Sequence, residues 1–236
     1  MSGLDAEIEA LRADPAFAQA FEGLADASAD GVLPRRLQAL LLVAVNGAVT
    51  HLNEAALRAA IRDARTHGAA AAELREVLQL TSVLGIHALS IGVPALLDEL
   101  AAAGQAFDRA APLTEEQARI KADFTAGRGR WSDRWEALLR LDTRYFEAYT
   151  RFSSHPWTSG TLAPKEREFV YIAIDCATTH LFEPGLRVHI RSALSYGASA
   201  AEIVAVLKLT TLMGIQTATL GERLLAEEYG TKQPSS

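Results

Sequence analysis

The stretch LAPKEREFVYIAIDCATTHLFEPGLRVHIRSALSYGASAAEI, residues 162–203, decides the fold. Pro164 suits a first helical turn, because its ring fixes φ near the helical value and its missing N–H loses no partner there. The spacing predicts a helix from Pro164 through Glu166, Glu168 and Ile172 to about Thr178. Phe182-Glu183-Pro184-Gly185 then interrupts the chain, and a second helix holds His189 and Arg191. It is expected to close at Tyr196-Gly197, since glycine takes the left-handed conformation that ends helices. Ser199-Ala200-Ala201-Glu202 reads as a capping box that starts a third helix. Beyond it Ile203, Val206, Leu207, Leu209 and Met213 are dense enough to be buried, Gly214 interrupts, and a last helix ends near Tyr229. Nothing alternates as a strand would, so the reading is all-α.

Working outward, residues 33–100 align with 162–229 at a constant offset of 129 without a gap. About a third of the aligned positions are identical, which marks an internal repeat. Thr50-His51-Leu52 matches Thr179-His180-Leu181, Gly68-Ala69 matches Gly197-Ala198, and Gly85-Ile86 matches Gly214-Ile215. With the offset reduced by one, Asp14, Phe17 and Phe21 fall opposite Asp142, Tyr145 and Tyr149. The organisation expected is a first repeat over 1–104, a connector over 105–129, a second repeat over 130–230 and a tail over 231–236. Within the connector, Thr114-Glu115-Glu116-Gln117 is a capping box that starts a short helix, and Gly127 and Gly129 end it.

The 236 residues carry 23 Lys+Arg against 29 Asp+Glu, a formal charge of −6, and 49% are hydrophobic. An acidic balance of this kind argues against nucleic acid as a partner, because such affinity comes from basic side chains displacing counterions. The start, MSGLDAEIEALRAD, is acidic where a signal peptide is basic and then apolar. No membrane span is read, and a cytoplasmic location is expected. Cys176 is the one cysteine, which removes intramolecular disulfides and thiolate zinc clusters. It reads as a small buried hydrophobe.

The segment Lys165-Glu166-Arg167-Glu168-Phe169-Val170-Tyr171-Ile172-Ala173, then His189-Ile190-Arg191-Ser192-Ala193-Leu194, Gly197-Ala198 and Glu202-Ile203, resembles the carboxymuconolactone decarboxylase family of the alkylhydroperoxidase D superfamily. The resemblance covers both repeats. It implies an all-α fold of two tandem alkylhydroperoxidase D-like helical repeats joined by a helical connector. It also implies a homotrimer, three tandem chains reproducing a six-unit ring, with a dimer as the alternative. The family signature is a glutamate near the start of one helix and a histidine opening the next, which are matched here by Glu168 and His189. The peroxidase branch is similar to C-x-x-C-x-x-x-H, but its cysteine positions fall on Phe182 and Gly185, so two-cysteine peroxidase activity is not expected. In the first repeat Leu37, Ala39 and Ala60 stand opposite Glu166, Glu168 and His189. The site is therefore expected in the second repeat.

The candidate catalytic residues are His189, Glu168 and His180. An imidazole exchanges protons near neutral pH. Glu168 would orient it, against the plainer reading that an acid in a first turn answers the helix dipole. His180 would polarise a carbonyl, or else pin the turn that His51 pins in the first repeat. Arg187 and Arg191 flank His189 and would clamp a substrate carboxylate, or form surface ion pairs. His51 and His180 each precede a glutamate by three residues, Glu54 and Glu183, which a helical turn would bring together. Two ligands per repeat leave a metal sphere incomplete, so no metal and no cofactor are expected. Gly-Ile-His at His87 and Gly-Ile-Gln at Gln216 occupy corresponding places. The function expected from the resemblance is a cofactor-free, decarboxylase-like lyase or isomerase of a small carboxylated lactone or related organic acid. The alternative is a non-catalytic small-molecule-binding or assembly protein of the same fold.

Overall fold

The computed structural model describes residues 4–105, 107–129 and 131–230, so the tail read at 231–236 lies outside the described residues. Among the described residues there is no strand. The helices are α1 (Asp5–Ala10), α2 (Pro15–Ser28), α3 (Arg35–Gly47), α4 (Glu54–Thr66), α5 (Ala71–Ser82), α6 (His87–Ala102), α7 (Glu115–Arg128), α8 (Arg134–Leu141), α9 (Thr143–Ser159), α10 (Pro164–Cys176), α11 (Glu183–Ser195), α12 (Ala200–Thr211) and α13 (Ile215–Tyr229). Helices α10, α11 and α12 begin and end 129 residues after α3, α4 and α5. Leu52 and Leu181, at the same interval, both adopt a left-handed backbone, with φ of 47° and 49°.

The sequence signals act through local chemistry. The Ser199 hydroxyl accepts from the Glu202 N–H at 3.1 Å while the Glu202 carboxylate takes the Ser199 N–H at 2.8 Å. Thr114 and Gln117 do the same at the start of α7, which ends on left-handed Gly129. One local expectation needs correction: Phe182-Glu183-Pro184-Gly185 does not only interrupt the chain, because α11 already starts at Glu183. Pro184 sits in its first turn, where no helical hydrogen bond is lost.

The chain divides into two compact units that cut across the repeats read from the sequence. One comprises the chain up to Thr81 together with the chain from Leu162 onward. Its core is built on α3 and α10, which pack on each other and carry α4 and α11 respectively. Leu40, Val43 and Ala44 of α3 and Phe169, Ile172 and Ala173 of α10 are fully buried. A helix apolar nearly all round has no solvent face, and α10 is buried from Arg167 to Asp175. The start of α10 is tied to α5: Arg167 Nε donates to Glu76 Oε1 at 2.7 Å, and Glu76 Oε2 accepts the Leu162 N–H at 2.9 Å. Ion pairs recur at the repeat interval, Arg36 with Glu73 and Lys165 with Glu202.

The other unit, Ser82–Thr161, contains α6 to α9. Its core is Val93, Leu97, Ile120, Phe124, Leu139 and Phe146, with Trp131 edge-on to Phe124 at 5.6 Å between ring centres.

Two segments, Ala71–Ala102 and Ala200–Tyr229, are helical and, by length and composition alone, long and apolar enough to cross a membrane, which corrects the reading that no such stretch exists. Gln79, Thr81, Ser82 and His87 disguise the first as mixed in character. Val77 and Leu80 in the first segment and Val206 and Leu209 in the second are buried inside the protein.

Candidate functional site

Glu168, Tyr171 and Asp175 stand at i, i+3 and i+7 on α10, which puts them on one helix face. Helix α11 packs against that face and lays His189 across it. The His189 Nδ1–H donates to Glu168 Oε2 at 2.7 Å, and Nε2 points toward Asp175 Oδ2 at 4.0 Å. The Tyr171 ring stacks on the imidazole at 4.4 Å between centres. Glu168 and Asp175 are 2% and 1% exposed, whereas the His189 side chain keeps 13%, so the imidazole is where this cluster meets the outside.

Burial, with a smaller contribution from the neighbouring Glu168 charge, pushes the Asp175 carboxyl up to about 8. Near Nε2 the cluster thus holds a carboxyl that keeps its proton at neutral pH. His180 has a ring nitrogen within 4.8 Å of an Asp175 carboxylate oxygen, and its ring stacks on Phe182 at 5.7 Å. Burial lowers its pKa, which favours the neutral ring.

The family profile of carboxymuconolactone decarboxylases matches residues 143–225, a span that holds Glu168, Asp175, His180 and His189. A crystal structure of a Burkholderia xenovorans protein, described provisionally as a gamma-carboxymuconolactone decarboxylase subunit, superposes with a TM-score of 0.90 at 40% identity. The match covers 94% of this chain and 90% of that one. This chain belongs to the carboxymuconolactone decarboxylase family. No curated protein matched it.

As a carboxymuconolactone decarboxylase family member the chain joins Glu168 to His189 and sets His180 near Asp175, and it separates the two glutamates near the start of α10. Glu168 meets His189, while Glu166 accepts the Ala163 N–H at 3.0 Å and pairs with Arg36. Arg187 and Arg191 do not join the cluster. Two residues either side of His189 is about 200° around a helix, and both side chains are exposed, with Arg187 held by Glu183 at 2.6 Å. The two His-x-x-Glu pairs are not helical pairs either. His51 and His180 lie in the turns before α4 and α11, and Glu54 and Glu183 each bond the arginine four residues on.

Sequence reasoning missed Asp175 and Tyr171. The signal available was an acid inside an apolar helix, seven residues after Glu168 and on its face. What brings Asp175 up to α11 is Gly185, where an added Cβ would lie 2.3 Å from Asp175 Oδ2 and 2.7 Å from the Phe182 ring. Gly185→Ala is expected to destabilise the protein by about 1–3 kcal/mol through overpacking. Urea denaturation measures it, and an unchanged midpoint would show that the two helices do not approach this closely.

Proposed function

We propose that the protein is a decarboxylase-like lyase acting on a small carboxylated lactone, of the gamma-carboxymuconolactone type, with His189 as the proton donor. The family membership supports the reaction class. The observation that carries the residue assignment is a partly exposed imidazole hydrogen-bonded to one buried carboxylate, Glu168, and facing a second, Asp175, whose pKa burial raises to about 8.

In this reading the bond between the ring carbon and the carboxylate breaks. Its electron pair moves into the unsaturated lactone carbonyl and CO2 leaves. His189, as the imidazolium, then gives a proton to the carbon end of the resulting enolate. Glu168 balances the imidazolium charge through Nδ1. Asp175, still protonated, places no second negative charge beside Nε2, so the proton remains transferable. His180, kept neutral by burial, offers a hydrogen bond to the carbonyl as charge builds there.

The test is CO2 release from gamma-carboxymuconolactone, followed across pH. Turnover is expected to fall as pH rises through about 8, because ionised Asp175 would hold the proton on His189. In Asp175→Asn the limb near pH 8 should move, leaving the one set by loss of the His189 proton itself. Unchanged recovery of the bound lactone would sink the reading in favour of a binding protein. A basic limb left unmoved in Asp175→Asn would remove Asp175 from the scheme.

A further inference from the structure

A cavity of about 630 Å3 opens beside the turn between α3 and α4, and Glu168, Asp175 and His189 are not among its lining residues. It is bounded by His51 and Asn53 on one side, by Thr178 and Thr179 on another, and by Gln216 and Arg223 of α13. Its volume is in the range that small-molecule sites occupy, about 300–1,000 Å3.

One wall is a hydrogen-bonded chain whose polarity is fixed at both ends by backbone. Asn53 Oδ1 accepts the Ala56 N–H at 3.1 Å as the cap of α4, so its Nδ2 donates to Gln216 Oε1 at 2.6 Å. Gln216 Nε2 then donates to Asn46 Oδ1 at 2.7 Å, and Asn46 Nδ2 to the Leu42 carbonyl at 2.9 Å. Gln216 Oε1 also meets His51 Nε2 at 2.7 Å. That oxygen only accepts, so Nε2 of His51 carries a proton. The same position in the second repeat, His180, lies beside Asp175, where the first repeat has Asn46. Ala39 and Ala60 likewise replace Glu168 and His189. This wall can hold a ligand but has no buried acid to drive proton transfer.

Charge selects the ligand class. Among the described lining residues none is acidic, and Arg223 supplies a cation. Its pairing with Glu227 joins two side chains more than half exposed, a contact that an incoming carboxylate can share. Met213 and Leu220 give the cavity an apolar wall. We propose that this cavity is a second, non-catalytic binding site for a small monocarboxylic acid, with the carboxylate at Arg223 and the threonine hydroxyls and the apolar body against Met213 and Leu220. The proposal is independent of the reaction assigned to His189.

Benzoate, titrated into the full-length protein with labelled histidine, is the probe. The His51 resonance, assigned by its loss in His51→Gln, is expected to shift saturably, and to do so equally in His189→Gln. Arg223→Ala should weaken the effect about ten-fold or more, as should replacing benzoate by uncharged benzamide of the same shape. An absent or non-saturating shift at His51 would overturn the site. Equal binding of benzamide, or full binding by Arg223→Ala, would overturn the carboxylate assignment. Loss of the shift in His189→Gln would show one site rather than two.

Discussion

Replacing His189 with Gln is expected to lower kcat/KM for the carboxylated lactone by about 10²–10⁴-fold, the range over which a positioned acid–base group acts. Gln is chosen over Ala because its amide can still donate to Glu168, whose side chain is 2% exposed and would otherwise face the interior without its ring partner. A glutamine has no proton to transfer, so the loss should fall on kcat, with KM and the unfolding midpoint little changed. Glu168→Gln should lie between, since it keeps the ring in place and removes the charge that balances the imidazolium. If purified His189→Gln turned over at the wild-type rate, the proton donor would be another group and the scheme would fail.

The largest effect on stability is expected from Glu76→Ala. Glu76 and Arg167 form a pair whose side chains are 2% and 7% exposed, and Glu76 also takes the backbone N–H of Leu162. Cutting one partner from a buried pair leaves the other charge in a poor solvent, a loss of about 3–5 kcal/mol. The exposed Arg58–Glu54 pair provides the contrast, at 61% and 83% exposure. There Glu54→Ala should change stability by about 0–1 kcal/mol. Urea unfolding of both variants measures the difference. A Glu76→Ala protein as stable as Glu54→Ala would mean that the α5 to α10 link does not hold the start of α10.

Much of the fold was legible because helix ends are written locally. Pro164, the boxes at Ser199 and Thr114, and the left-handed glycines at 129 and 197 each act through neighbours within four residues. The 129-residue offset added which segments are alike. It did not add that α3 and α10 share one core, since contact between distant helices leaves no local mark. The resemblance pointed to Glu168 and His189, which the structure joins by a hydrogen bond. Asp175 stayed hidden because its meaning depends on Gly185, ten residues away and on another helix. Arg187 and Arg191 looked close to His189 along the chain but lie around the far side of α11, where spacing alone misleads unless the buried face is known.

Helix α10, buried along nearly its whole length, carries Glu168, Tyr171 and Asp175 on the face that meets His189. Reactive groups in proteins more often ride on surface loops, which open at little expense in free energy. Here the amides of the buried stretch of α10 are expected to exchange with solvent only when the core of their unit opens. The proposed chemistry would then have no soft hinge of its own, and competence and foldedness would be lost in one event rather than two.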